Sequence, residues 1–219
     1  MKKYLYVVFL LATVISLSKA QKNTSDYKIG IRVGPSLSIS RTAANGENTA
    51  IERDGSSVNF LLGAFVDIPF KENYFFEGGV NYATKSTRIS VQDSRFLSGN
   101  AATERYDHEY LQLPVLLKLY TNEILLDTKV YFNFGLVPEI RLSTENENPG
   151  VLFVNEFQDF DVSGNFGGGI EKLVGVNTRV FVSLNYYIGF INQVKEQNPI
   201  YDELNIKSGL FSLEFGIKF

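Results

Sequence analysis

The one histidine of this 219-residue chain, His108, stands between Asp107 and Glu109. An imidazole next to a carboxylate can act as a general base, and with a serine hydroxyl in reach it would complete a hydrolase triad. No His-x-Ser arrangement occurs, so the nucleophile that lipid hydrolysis needs is missing beside His108, and no catalytic residue is assigned. One His and no Cys leave a metal only loop carboxylates: Asp54, Asp93, Glu104, Asp107, Glu145, Glu147 and Asp202. Such acids can bind Ca²⁺ or bridge it to lipopolysaccharide, but they read better as solvated loop charge, and no metal or cofactor site is expected. Gly167-Gly168-Gly169 is not a phosphate loop, because no strand-to-helix transition follows it.

A second set of residues carries a different chemistry. Arg32, Glu77, Lys118, Glu139, Arg141, Glu171, Arg179 and Glu214 are of both signs, and each falls on the polar side of a stretch that alternates polar with apolar. Facing one another in a closed interior, they would form an ion-pair and hydrogen-bond network, either a structural plug or the lining of a proton or ion path. The narrow interior of a small barrel, normally filled by side chains, favours the plug.

The elements that position them are strands. From Tyr27 to Ser40 seven apolar residues alternate with seven polar or small ones, the period of two that a strand imposes. The same alternation recurs over Val58–Phe70, from Tyr74 to about Lys85, and over Glu109–Tyr120, Lys129–Leu142, Phe160–Leu173, Thr178–Ile191 and Lys207–Phe219. That makes eight predicted strands, longer than the usual 5 to 6 residues of globular proteins and sufficient for a tilted bilayer crossing of about 9 to 11. Pro114 lacks an N–H and predicts a bulge or gap in the fourth. The connections run long, short, long, moderate, long, short, long, with the long ones expected as loops at Arg41–Ser57, Gln92–His108, Ser143–Asp159 and Asn192–Ile206. Within the third, Val151–Phe157 is apolar enough for a short ordered element.

Residues 1–20 read as a signal peptide: Lys2 and Lys3, then an apolar run from Tyr4 to Leu17, then Ser18-Lys19-Ala20 with cleavage before Gln21. Its removal takes three lysines and no acid, leaving 18 basic against 24 acidic residues. An acidic chain without basic blocks argues against nucleic acid as a partner. Beyond residue 20 no apolar run is long enough for a transmembrane helix, so any span must be a closed barrel of strands. Residues 21–219 are expected to form one such domain.

Alternation alone does not say which face is inside, since a soluble lipocalin-type barrel also alternates. The polar faces here are rich in Gly, Ser and Asn, which suits a crowded lumen, and carry both signs of charge, with Lys28, Asp67, Lys85, Lys129 and Lys218 on them beside the eight residues above. Aromatics gather near strand ends (Phe70, Tyr74, Phe76, Tyr120 and Phe219 at the short-turn end; Tyr82, Tyr186 and Phe190 toward the loops), as interfacial girdles do. The Gly-x-Trp signature of lipocalins is impossible in a chain without Trp. The reading is an all-β, eight-stranded antiparallel up-and-down transmembrane β-barrel with both termini on the short-turn, periplasmic side.

The segment from Glu109 to Tyr120, EYLQLPVLLKLY, resembles the Tyr-Leu-x-(Ile/Leu)-Pro-x-Leu-(Leu/Ile)-Lys segment of the PorT-like outer-membrane β-barrel family of Bacteroidetes. Gly30-Ile31-Arg32-Val33-Gly34-Pro35 resembles that family's first strand. The final amphipathic strand ending in Phe219 resembles the C-terminal signal read by the outer-membrane barrel assembly machinery. These resemblances imply an outer-membrane barrel in contact with lipids and lipopolysaccharide, with an envelope or secretion-system protein as partner. The expected role is structural or interactive, non-enzymatic, through four outer loops. A narrow channel or small-ligand transporter is the second reading, and an outer-leaflet lipid-modifying enzyme the third.

Overall fold

The computed structural model describes residues 27–45, 49–53, 56–93, 102–147, 153–199 and 203–219. The signal-peptide expectation for residues 1–20 lies outside them. Among the described residues fourteen strands occur: β1 Lys28–Ser38, β2 Arg41–Asn45, β3 Thr49–Arg53, β4 Ser57–Lys71, β5 Tyr74–Asp93, β6 Ala102–Gln112, β7 Val115–Tyr120, β8 Thr128–Asn146, β9 Val154–Phe157, β10 Phe160–Leu173, β11 Arg179–Gly189, β12 Val194–Gln197, β13 Glu203–Lys207 and β14 Gly209–Lys218. There is no helix among the described residues.

Eight staves close into a ring by antiparallel pairing in the order β1, β4, β5, β6 with β7, β8, β10, β11, β14 and back to β1. Closure joins the two ends of the barrel sequence, with Val33 opposite Phe215 and backbone bonds in both directions between Ile29 and Phe219. Closure leaves no unpaired edge along the ring, the condition for strands to lie in lipid. The fourth stave is interrupted at Leu113-Pro114, as a residue without an N–H requires. The carbonyl of Pro114 still accepts from Gly79, and Leu113 donates to Pro138, so the gap costs little pairing.

Alternation resolves into inside and outside. Ile31, Leu62, Phe76, Phe134, Ile170 and Phe215 belong to a broad outward apolar belt, while the side chains between them are buried in the lumen. The order is the inverse of a soluble barrel and follows from a solvent that is itself apolar. Phe70 stacks on Phe76 with ring centroids 4.5 Å apart, part of the girdle at the short-turn end. Tyr120, expected in that girdle, is instead inside: its strand parity with Lys118 turns it inward, and its hydroxyl meets Glu171 and Lys218.

The long loops are more regular than their polar composition suggests. β5 runs twenty residues and continues past the belt, paired with β3 and with β6, which begins at Ala102 rather than Glu109. Arg41–Ser57 contains β2 and β3, and Asn192–Ile206 contains β12 and most of β13, where loops were expected. Five-residue segments of mixed polarity carry too little alternation to be recognised alone. They are strands because partners come to them: β13 on β2, and β12 on β9. The apolar stretch in the third loop supplies β9.

Candidate functional site: a filled lumen under an ordered cap

The lower lumen, toward the short turns, holds a zigzag of alternating charge. Glu214 accepts from Arg32 at 3.4 Å; Arg32 also pairs with Glu77, and Glu77 with Lys118. Lys118 reaches Asp67 at 3.1 Å, Asp67 reaches Lys218 at 2.9 Å, and Lys218 reaches Glu171 at 2.5 Å. Arg179 ends the series 3.2 Å from Glu171. Four cations thus meet four carboxylates, and all but Arg179 are buried.

Strand register explains the order. Asp67 and Glu77 are directly opposite on β4 and β5, two like charges that would repel, and Lys118 from β7 sits between them. Lys218 and Arg179 are likewise opposite on β14 and β11, and Glu171 from β10 sits between them. Each like-charged rung is bridged by its opposite from another stave. The neighbours of Arg32 on β14 and β4 are Gly216 and Gly63, whose missing side chains leave space for the Phe181 ring and the Asn81 amide. Aromatic faces complete the packing: Arg32 lies 4.3 Å from the Phe65 ring centre and Lys118 4.8 Å from that of Tyr131. A Cβ on Gly216 would fall 2.2 Å from the Phe181 ring, so this glycine is a steric necessity.

Above this lies a layer of amides. Asn133 donates to Asn165 at 2.9 Å and to Asn185 at 2.8 Å. Glu139 belongs here rather than to the zigzag, receiving Lys85 at 2.5 Å and Gln112 at 3.1 Å. Asp161 accepts from Ser208 at 3.1 Å. At the short-turn mouth a cavity of about 60 Å³, lined in part by Lys28, Lys129 and Arg179, leaves space for a few waters.

Of the eight residues singled out from sequence, Arg32, Glu77, Lys118, Glu171, Arg179 and Glu214 come together in one network. Glu139 joins a separate one, and Arg141 sits at the outer rim, donating to the Phe157 carbonyl and, at 3.3 Å, to Asp159. Asp67, Lys85 and Lys218, read from the sequence as charges of the same polar faces, are inside as strand parity requires; Asp67 and Lys218 link the zigzag, and Lys85 pairs with Glu139.

The long-loop end is closed by a small hydrophobic core of Ile89, Tyr106, Phe153, Phe157, Leu204 and Ile206, built from β5, β6 and the loop strands. Gln193 ties this cap to the barrel through the Tyr110 hydroxyl at 2.9 Å. A groove of about 380 Å³ opens between β8 and β9, lined by Arg141, Thr144, Asn146, Asn155 and Glu156 among others.

His108 is inside at this level, beyond the belt, since the outward neighbours on β6 are Arg105, Asp107 and Glu109. Asp107 and Glu109 face away from the imidazole, and Asp107 pairs with Arg105. The ring packs on Phe157 at 4.7 Å and shares a hydrogen with Thr144 at 2.9 Å. Burial, with Arg141 and Lys85 nearby, lowers its pKa to about 3. The imidazole is thus buried between Thr144 and Phe157, and among the described residues no serine hydroxyl is hydrogen-bonded to it. Glu104, held by the Tyr106 hydroxyl and the Phe153 N–H, is raised by burial. No group of three or more acidic or histidine side chains converges among the described residues; Asp54 and Asp202 lie outside them.

Residues 19–194 match the family model described as the outer membrane protein beta-barrel domain. Among solved structures, OprG from Pseudomonas aeruginosa is similar with a TM-score of 0.51 at 14% identity, covering 88% of this chain and 95% of that one. Neisserial surface protein A is similar with a TM-score of 0.50 at 10% identity over the same shares. At such identities the likeness is one of fold. No curated protein sequence is measurably similar to this chain.

Proposed function

The chain belongs to the outer membrane protein beta-barrel domain family, and from that premise we propose that it is a non-conducting, non-enzymatic barrel whose ordered outer cap is a recognition surface. One observation carries this reading: a lumen filled by paired charges and amides lies under a cap with its own hydrophobic core. Membrane anchorage needs no such cap, and transport needs a lumen that is open. In this reading both termini face the periplasm, residues 1–20 serve export, and β14 with Phe219 addresses the assembly machinery. The resemblance of Glu109 to Tyr120 to the PorT-like barrels supports this reading, in which an envelope protein is the partner that fits a cap standing above the bilayer.

Two measurements test it. Planar-bilayer recordings of the refolded protein are expected to show no single-channel events, and steady open levels would refute the plug. Co-purification from the native envelope, comparing the unmodified chain with a variant carrying Glu156→Lys and Glu196→Lys on the exposed face of β9 and β12, is expected to lose the partner in the variant. Equal recovery by both would remove the cap as the recognition face.

A further inference from the structure

We propose that the turns at Thr121–Asp127 and 174–178 form a lipid-inserted edge, with their side chains in the interfacial layer of the leaflet at the short-turn end. Turn tips facing water favour Gly, Asn, Asp and Ser. Here Ile124, Leu125 and Leu126 stand in a row, with Leu126 85% exposed, and Val176 in the neighbouring turn is 95% exposed. The two turns are adjacent because β8 pairs with β10, and Leu173 donates to the Asp127 carbonyl at 2.8 Å. The five apolar side chains, Val174 included, therefore form one patch rather than scattered exposures.

Three observations identify the occupant as lipid. The patch continues the belt downward from Val130 and Ile170 on the same two staves. Its depth fits: Thr128 pairs with Lys172 at the end of the ladder, and the tip at Leu126 lies two residues further, about 7 Å along an extended chain. The headgroup layer on each side of a hydrocarbon core is about 5 to 8 Å thick. Lys172, exposed between belt and patch, has the stem to lie against acyl chains and the ammonium to meet lipid phosphate. The turn joining β4 to β5 is by contrast Lys71-Glu72-Asn73. The apolar edge is therefore on one side of the rim, and the barrel is drawn deeper there.

The chain has no Trp, so a single introduced one reports alone. Leu126→Trp, Val176→Trp and Asn73→Trp variants of the full chain would be refolded into phosphatidylcholine vesicles with plain or brominated acyl chains. A boiling-dependent gel shift confirms folding, and Val176→Trp serves if Leu126→Trp does not fold. The first two are expected to emit to the blue of Asn73→Trp, to be quenched by brominated chains and to resist iodide. Emission matching Asn73→Trp, with iodide quenching and no bromine effect, would overturn the proposal. Blue emission that ignores bromine and grows with protein-to-lipid ratio would also overturn it, by showing a second copy as the occupant.

Discussion

Glu77→Gln removes one charge from the centre of the zigzag while keeping shape. Glu77 is buried and lies between Arg32 and Lys118. After the change Arg32 keeps Glu214 at 3.4 Å and Lys118 keeps Asp67 at 3.1 Å, but four cations face three carboxylates. Breaking a buried pair from one side costs about 3 to 5 kcal/mol. Because each cation retains a second partner, the lower end, about 3 kcal/mol, is expected. With a urea slope of about 3 kcal/mol per M, the top of the small-protein range, the midpoint falls by about 1 M. The assay is urea unfolding in lipid vesicles, followed by heat-modifiable mobility. The double variant Glu77→Gln with Lys118→Met leaves Arg32, Lys218 and Arg179 against Glu214, Asp67 and Glu171, balanced again. It is expected to recover at least half of the loss. A single variant within about 0.3 M of the parent, or a double variant that merely adds the two losses, would refute the account of the lumen as a charge-balanced unit.

Three further outcomes follow from the geometry. As the sole histidine, His108 gives one imidazole resonance, which should titrate near pH 3, and a midpoint near 6.5 would show the ring in water. Because the folded state keeps this imidazole neutral while the unfolded chain protonates it, its contribution is full above about pH 6.5 and falls by about 1.4 kcal/mol per pH unit below that, until the folded value near 3 is reached. Gly216→Leu should abolish the boiling-dependent gel shift, because its Cβ would meet both the Phe181 ring and the Ile31 backbone carbonyl, and adding Phe181→Ala should not restore it; a full rescue would show that the ring alone sets the constraint. His108→Ala should leave outer-leaflet lipid composition unchanged while weakening the cap, and a changed lipid profile would reopen the hydrolase reading.

The sequence by itself determined the barrel and which face of each stave turns inward. A period of two is a local property that sorts each stave into two faces, and the Gly, Ser, Asn and mixed charge of one face marked it as the lumen side, so Arg32 and Glu214 were legible as interior residues before any contact was known. Pro114 announced its gap for the same reason, having no N–H to give. Only the tertiary structure decided pairing. That Lys118 separates Asp67 from Glu77, and that Glu171 separates Lys218 from Arg179, depends on the register between staves distant in sequence. The cap was hidden on the same grounds, because β2 and β13 are each too short and too polar to stand as strands until they meet. His108 makes the point in one residue. Its sequence neighbours Asp107 and Glu109 suggested acid–base chemistry, and the strand sends them to the opposite face, leaving the ring against Phe157, which arrives from a loop about fifty residues later.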